Sequence, residues 1–473
     1  MELKTILAIL PLLIIPIAMG SIVTWKSVSW SARWFLGISF LCVFFIFVHA
    51  LGIPQSVAWI LLIIGLALIC ILISLNRNDL FKNIRWPAWQ TLTIVVILLI
   101  QLMSAYATVL ANPVFEWDAV AIWFQKTKAF YYWEPFRFFP IVNYPNFGSF
   151  YWAFIMKFTG FSEAIGRLFF PTAYFAFMMV LYSLFRDNNT SVTGVFVIPA
   201  VSIFFFHNAY VSGYQDGLLS LMAGMSAFYY CRFFIVLRSA KHVTLCHRDI
   251  YYNLYLAFFF SGILGLIKNE GTVIALLLFF SAAGWFIIQI RSKPLKKVMP
   301  LFFGVIIFLA LTSLWSVLLL YNGVDPSQVQ GGVFSIMGIL KSYKNIKRYI
   351  DIKQYFSLYL NSYGIIIIVT SLLSMVAVLY VKITRTALCF IWTFYVFHFA
   401  FIALVFFSTG TNYMWHLGTA FDRLMFQHRF VYMLIIVITI SYIMKSIEQK
   451  MCIQQADVFR FRSDANHLIG NRE

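Results

Sequence analysis

Long apolar runs recur along the whole of this sequence and constrain its fold more than any other feature. Most runs extend for roughly 18 to 22 residues, which is the length that an α-helix needs to cross the hydrocarbon core of a bilayer. In lipid the backbone must satisfy its own hydrogen bonds, and the runs lack the two-residue alternation of barrel strands. The sequence therefore predicts an all-α polytopic membrane protein.

Composition supports this prediction, since 62% of the 473 residues are hydrophobic and only 11% are charged, unlike a soluble domain. The first run is interpreted as a span rather than a cleaved signal peptide, because its polar start is short and no clear cleavage site follows. We expect about 13 spans, near residues 5–23, 35–52, 57–75, 90–110, 162–185, 192–209, 214–236, 252–267, 271–290, 299–321, 362–382, 387–407 and 428–446.

The net charge of +18 would suit a nucleic-acid-binding protein, but the distribution of the basic residues argues against that class. They gather in alternate loops, which is the pattern of loops that face the cytoplasm. The tail after residue 445 falls on the same side, whereas the N-terminus and the connection 111–161 are expected outside. The basic residues that define this pattern are Lys26, Arg33, Arg77, Lys82, Arg85, Arg238, Lys241, Arg248, Arg291, Lys293, Lys296, Lys297, Lys382 and Arg385.

Ionisable residues collect at the outside ends of the predicted spans, where a charge is costly unless it has a function or a partner. They come from four separate segments, so we expect them to form one polar site on the outside face. The polar residues of these segments are Glu116 and Asp118, Asp216, Lys268 with Asn269 and Glu270, and His416 with Asp422 and Arg423.

Each of these residues also has a structural interpretation. Asp216 could cap the N-terminus of its helix, and Lys268 could extend towards lipid headgroups. Asp422 and Arg423 could form a local pair, and a lone histidine such as His416 is usually a structural hydrogen-bonding residue. The Glu116–Asp118 pair is harder to explain structurally, because it opens a segment that is too polar for a span and too aromatic for a simple loop.

Two outside segments are predicted to form helices on the membrane surface. The segment 116–160 is too broken to cross the bilayer, and its aromatic residues suit the headgroup layer. The segment 322–361 is basic, and apolar residues such as Ile339, Tyr343 and Ile350 recur in it at helical spacing. It could simply be attracted to anionic lipids, or it could cover a site that receives an anionic substrate.

The order of these features along the chain resembles that of the GT-C glycosyltransferases. The resemblance is in particular to bacterial members of the family, such as the protein O-mannosyltransferases, the lipid A aminoarabinose transferases and the rhizobial lipopolysaccharide galacturonosyltransferases. EWD at 116–118 is similar to their acidic ExD motif, and LIKNEG at 266–271 is similar to their K-N-E-G turn. YQDGLLSL at 214–221 is similar to their D-P-L-type span start, with Gly217 in place of proline. WHLGTAFDRL at 415–424 resembles a C-terminal stretch of one subgroup.

The resemblance covers residues 90–320 well and the last span loosely, which suggests a domain organisation. It implies an N-terminal transmembrane addition over 1–88 and a GT-C-like catalytic core over 89–321 with surface helices at 116–160. An extracytoplasmic amphipathic loop over 322–361, C-terminal transmembrane helices over 362–446 and a cytoplasmic tail over 447–473 would complete the chain.

The resemblance also implies a chemistry. The donor would be a polyprenyl-phosphate sugar, and the acceptor a lipopolysaccharide or other lipid, a glycan or a protein of the cell envelope. The site would face the periplasm or exterior of a bacterial inner membrane, and direct displacement would invert the anomeric carbon.

The implied roles follow the chemistry of the side chains. Asp118 is the expected general base, with Glu116 beside it, while Lys268 and Arg423 would stabilise the departing phosphate. The residues expected to position the substrates are Asp216, His416 and Tyr144. No cofactor is certain. A divalent metal, Mg²⁺ or Mn²⁺, could bind the three acidic residues, or the nearby cations could make it unnecessary.

Three other classes of function remain open at the level of the sequence. A transporter or flippase of lipid-linked sugars is the main alternative, although no internal repeat is evident and the ionisable groups cluster at one face. An O-antigen polymerase or ligase also has many spans and a large outside loop. A structural membrane scaffold would not need polar groups from four loops.

Overall fold

The computed structural model of the chain describes residues 2–23, 28–75, 88–112, 116–239, 247–290, 299–325, 345–408 and 413–470. Its regular elements are helices, and the described residues include no strand, which confirms the predicted all-α class. Most of the basic residues that predict which loops face the cytoplasm lie outside the described residues.

Eighteen α-helices make up most of the described chain, joined in places by single turns of wider or tighter helix. In chain order they are α1 (Glu2–Ile9), α2 (Ile15–Val23), α3 (Trp30–Ala50), α4 (Gln55–Leu75), α5 (Trp89–Ala111), α6 (Gln125–Tyr132), α7 (Phe147–Thr159), α8 (Glu163–Arg167), α9 (Phe169–Asp187), α10 (Ser191–Phe205), α11 (Gln215–Ser239), α12 (His247–Ile267), α13 (Asn269–Ile290), α14 (Met299–Tyr321), α15 (Ile346–Tyr380), α16 (Arg385–Ser408), α17 (Tyr413–Phe426) and α18 (Arg429–Gly470).

Ten helical stretches of the described residues are long and apolar enough to cross a membrane. Three shorter apolar stretches, Ile6–Ser21, Gln55–Leu68 and Ser191–Phe205, occupy the other predicted span positions. The polytopic helical architecture is therefore confirmed, whereas the number of 13 spans is not.

The centre of the bundle is formed by the helical stretch that contains α9 and by α11. In each, 89% of the most apolar stretch is buried within the protein, compared with 17% for α15. The exposed side chains of α15 are nonetheless large and apolar, including Ile365 and Leu372. Because lipid tails solvate such side chains as well as a protein core does, α15 is suited to the lipid-facing edge.

The predicted boundary between the amphipathic loop and the following span, at 361/362, falls inside the continuous helix α15. The Asn345 side chain caps this helix by accepting a hydrogen bond of 3.1 Å from the Arg348 amide, and no proline interrupts the helix before Tyr380. At 1.5 Å per residue the helix is about 52 Å long, so it must extend well beyond a hydrocarbon core of about 30 Å. The rest of the predicted amphipathic segment, 326–344, lies outside the described residues.

The predicted boundary before the tail, at 446/447, likewise lies inside a continuous helix, α18. Within the segment 116–160, α6 ends at Tyr132, and the backbone of the next residue, Trp133, is left-handed with φ of 58°. The second helix of that segment, α7, is not exposed along its length but is mostly buried. It packs against α3, where the Phe45 and Phe150 rings stack with centres 5.1 Å apart.

Candidate active site

A buried carboxylate, Asp216, organises a cluster of charged residues at one end of the bundle. Asp216 lies in the first turn of α11, and its side chain is only 2% exposed. Its Oδ1 atom accepts hydrogen bonds from Lys268 Nζ at 2.9 Å and from Gln427 Nε2 at 3.1 Å. Its Oδ2 atom lies 3.5 Å from Arg423 Nε. The interpretation of Asp216 as a simple helix cap is therefore incorrect, because its carboxylate contacts three side chains from two other segments of the chain.

Lys268 reaches Asp216 because α12 and α13 are joined by a very short turn. The amide of Gly271 donates to the Lys268 carbonyl at 2.9 Å, which closes the turn. A Cβ atom on Gly271 would lie only 2.0 Å from the Leu264 carbonyl oxygen, so this approach of the two helices requires glycine. Lys268 is 3% exposed and does not extend to the lipid headgroups.

The charged state of Lys268 is maintained by its neighbours. Burial alone would favour the neutral amine, but the carboxylates of Asp216 and Glu270 outweigh burial and raise the pKa of Lys268. Glu270 Oε1 lies 3.4 Å from Lys268 Nζ, and its side chain is 29% exposed. The lysine is therefore a fixed cation shared between two carboxylates.

Arg423 connects the buried part of the cluster to its accessible edge. It lies near the end of α17, and its guanidinium forms an ion pair with Asp118 on one side while approaching Asp216 on the other. The side chains of Arg423 and Asp118 are 29% and 20% exposed. Asp422, by contrast, is exposed, so the local Asp422–Arg423 pair is not the arrangement that the structure adopts.

Two tyrosines border the cluster. The Tyr214 ring centre lies 5.2 Å from the guanidinium carbon of Arg423, and burial raises the pKa of the Tyr214 hydroxyl. Burial and the Glu270 carboxylate raise the pKa of Tyr144 to about 12, while Lys268 and Arg423 act in the opposite direction. Both hydroxyls are thus protonated at neutral pH and available as hydrogen-bond donors.

The loop that carries Tyr144 is held from beneath by Lys126, whose side chain is completely buried. Lys126 Nζ donates to the Tyr144 carbonyl at 2.5 Å and to Asn146 Oδ1 at 2.8 Å. Burial lowers the pKa of Lys126. Sequence reasoning assigned Lys126 no place in the site, but the structure makes it the support for one predicted site residue.

Several buried polar atoms around the cluster have no hydrogen-bond partner among the described residues. Both amide atoms of Gln215, the Gln427 Oε1 atom and the Glu270 Oε2 atom are among them. Gly148 leaves space for Gln215, because a Cβ atom at that glycine would lie 1.9 Å from Gln215 Oε1. Buried polar atoms are normally satisfied, so this region is suited to a polar ligand or to water.

Five of the seven predicted site residues lie in or beside this cluster: Asp118, Asp216, Lys268, Arg423 and Tyr144. Glu116 is exposed and interacts electrostatically with Tyr214, without an ion pair in the described part of the chain. His416 is half-buried and packs against Trp415, with ring centres 4.9 Å apart. It lies two helical turns before Arg423 on α17. Among the described residues, His416 takes no part in the ion-pair cluster.

Gln427 and Tyr214 were missed by the sequence reasoning. Gln427 is an uncharged residue in the turn between α17 and α18. It could be recognised as a site residue only with the knowledge that this turn meets α11. Tyr214 directly precedes the YQDG motif and could have been included on that ground.

A metal site is not formed by the acidic residues that the sequence offered for one. No group of three or more His, Cys, Asp or Glu side chains in the described ranges lies close enough to hold a metal ion. Asp118 and Asp216 instead face Arg423. We therefore derive no step of the chemistry through a metal.

Comparison of this chain with known protein families, characterised proteins and solved structures finds no match. The case for a function thus depends on the motifs in the sequence and on the geometry of the charged cluster.

Proposed function

We propose that the chain is an integral membrane glycosyltransferase. It would transfer a sugar from a polyprenyl-phosphate donor to an envelope acceptor on the extracytoplasmic face, with inversion at the anomeric carbon. The observation that carries the proposal is the meeting of Asp118, Asp216, Lys268 and Arg423, which come from four separate segments, at one end of the bundle. The resemblance of their motifs to the GT-C enzymes adds the substrate class.

Exposure divides the roles within the cluster. Asp118 is the accessible carboxylate and takes the proton from the acceptor hydroxyl. As that oxygen bonds to the anomeric carbon, the bond from carbon to the phosphate oxygen breaks. Arg423 stabilises the departing phosphate, because its planar guanidinium matches phosphate geometry and is accessible.

Asp216 and Lys268 are too buried to touch a substrate in this arrangement, so their roles are indirect. Asp216 holds Arg423 and Lys268 in place, and Lys268 adds positive potential beneath the phosphate position. This differs from a direct contact of Lys268 with the donor phosphate. Tyr144 and Tyr214 border the accessible part and donate hydrogen bonds to the sugar or the phosphate.

The shared position of Arg423 couples donor binding to the base. A donor phosphate on Arg423 competes with Asp118 for the same guanidinium. The Asp118 carboxylate would then be released from its ion pair and could accept a hydrogen bond from the acceptor hydroxyl. The donor is therefore expected to bind before the acceptor reacts.

The first test is mass spectrometry of envelope lipids and glycans from cells that lack the chain, complemented with wild type, Asp118→Asn or Asp422→Asn. Asp422→Asn is the matched control, since it removes an exposed carboxylate near the same arginine. Wild type and Asp422→Asn should restore one glycan species. Asp118→Asn should lower its formation by about 100- to 10,000-fold, the usual effect of removing a positioned base. Equal restoration by Asp118→Asn would contradict the proposal.

A transporter of lipid-linked sugars is the second candidate, favoured by a buried histidine pair that joins α16 to the turn between α17 and α18. His398 Nδ1 and His428 Nε2 lie 3.0 Å apart, and both side chains are buried. Ionisable residues buried inside a membrane-spanning bundle often serve proton-coupled transport. Reconstituted protein distinguishes the two candidates, because a transporter would move the lipid-linked sugar across the bilayer without transferring the sugar.

A further inference from the structure

A polar cavity lies at the opposite end of the bundle from the charged cluster. Its volume is about 440 Å³. Arg232, which lines it, follows Asp216 by sixteen positions in α11, a distance of about 24 Å along the helix axis. Other lining residues lie at the C-terminal end of α9 and on α18, and the polar ones that matter here are Arg186, Asp187, Asn188 and Lys445.

The charges that line this cavity do not balance. Among the described residues that line the cavity, Asp187 is the only acidic one, and it lies 3.0 Å from Arg232 and 3.5 Å from Arg186. Lys445 Nζ instead donates to the uncharged Asn188 Oδ1 at 3.0 Å, and Asn188 is fixed by its own bond of 2.8 Å to Ser441 Oγ. In the described part of the lining, three cations and one carboxylate therefore give an excess of two positive charges.

The walls of the cavity are mixed in polarity. Phe228, Ile235 and Ile383 supply apolar surface, while the Tyr229 and Tyr442 rings carry hydroxyl groups. An inorganic anion would need only the cations. A site with cations on one side and apolar walls on the other matches a ligand with a charged head and an apolar body.

We propose that this cavity binds the phosphate headgroup of an anionic lipid. The two arginines present planar forks suited to phosphate oxygens, and Lys445 adds a point charge. The volume lies in the range of small-ligand sites, about 300 to 1,000 Å³. The cavity adjoins Asp187, the last residue of α9, and a membrane-spanning helix ends near the depth of the headgroups. This inference is independent of the proposed transferase activity.

The test is isothermal titration of the full-length protein in neutral detergent with three probes. They are dihexanoyl phosphatidylglycerol, dihexanoyl phosphatidylcholine and inorganic phosphate. We expect the anionic lipid to bind at least about tenfold more tightly than the zwitterionic lipid, because the net charge of the cavity favours an anion. Binding of inorganic phosphate as tight as that of the anionic lipid would support the phosphate site but assign it to a soluble phosphate compound.

Three variants identify the site. Lys445→Gln should weaken binding of phosphatidylglycerol about tenfold, by loss of a charge-assisted hydrogen bond. Lys450→Gln is the matched control, since Lys450 lies exposed on the same helix and does not line the cavity. Asp187→Asn should tighten binding, because it releases Arg232 and Arg186 from their carboxylate.

Opposite effects of Lys445→Gln and Asp187→Asn, with Lys450→Gln unchanged, would support the site. Equal affinity of the wild type and the three variants for phosphatidylglycerol would overturn it. Equal affinity of the wild type for the two lipids, together with no binding of inorganic phosphate, would also overturn it. The tightened binding expected of Asp187→Asn cannot arise from a loss of folding.

Discussion

Two carboxylates of the charged cluster, Asp118 and Asp216, differ in how far water reaches them. The side chain of Asp118 is 20% exposed, whereas that of Asp216 is 2% exposed. Lys268 and Arg423 both approach Asp216. A buried carboxylate with two cations near it stabilises the fold mainly by preventing uncompensated buried charge. An accessible carboxylate contributes much less to stability and is free to act on a ligand.

This difference predicts separable effects of two conservative substitutions. Asp216→Asn should lower the free energy of unfolding by about 3 to 5 kcal/mol, because Lys268 and Arg423 lose their buried partner. Asp118→Asn should change it by about 1 kcal/mol or less while lowering transfer by about 100- to 10,000-fold. Denaturant unfolding in detergent measures both. A stable Asp216→Asn variant would show that the buried cations have other counter-charges.

The sequence was sufficient to predict the ionised residues of the cluster but not their pairing. Asp118, Asp216, Lys268 and Arg423 could be selected because charge is costly beside apolar spans. Which carboxylate would be accessible depends on distances between helices that are remote in the chain. Gln427 carries no charge, so the same reasoning could not select it.

At the scale of elements, the turn between α12 and α13 determines where Lys268 lies. Gly271 permits the two helices to meet, since a side chain there would meet the Leu264 carbonyl. The LIKNEG motif is thus explained in part by packing, with glycine for the close approach and lysine for the ion pair.

Gly271→Ala should destabilise the protein by about 1 to 3 kcal/mol, as overpacking usually does, and should reduce transfer by displacing Lys268. Gly284→Ala is the matched control on α13, because nothing lies within 4 Å of the added methyl group. That control should be neutral or slightly stabilising, since alanine favours a helix. Melting temperatures in detergent compare the two variants, and equal values would contradict the packing explanation.

The apolar runs of the sequence predicted where the helices lie better than they predicted where each helix ends. At α15 both the amphipathic stretch and the apolar stretch favour a helix, and no proline separates them. Asn361, Ser362 and Gly364 are residue types that often end or cap a helix, but α15 continues through all three. The sequence pattern therefore marks a change of environment at 361/362, whereas the backbone continues through it.

At the scale of the whole molecule, two polar regions lie at opposite ends of one bundle. The acidic and basic cluster is expected outside, and the cavity lined by Lys445 is expected at the cytoplasmic face, because basic loops favour that side. This orientation is a prediction from charge and can be tested without knowledge of any substrate.

Two single substitutions test this orientation: Trp117→Cys places a thiol at one end of the bundle, and Gln449→Cys places a thiol at the other end. Trp117 is 72% exposed beside Asp118, and Gln449 is exposed on α18. A membrane-impermeant maleimide should label Trp117→Cys in intact cells, and Gln449→Cys only after permeabilisation. The unsubstituted chain measures the background from its own thiols, of which Cys42 and Cys231 are buried. The reverse pattern of labelling would place the charged cluster in the cytoplasm.

The ion pair between Asp118 and Arg423 joins residues 305 positions apart, and this separation has a consequence for the newly made protein. A ribosome that adds about 5 to 20 residues per second needs roughly 15 to 60 seconds to travel from one to the other. Over about the second half of that interval, once residue 268 has been added, the growing chain holds Asp216 and Lys268 without the arginine that completes their neighbourhood. Chemical competence would thus be acquired late in synthesis, after most of the helices have entered the bilayer, and a ribosome that stalls before codon 423 would release an inert product.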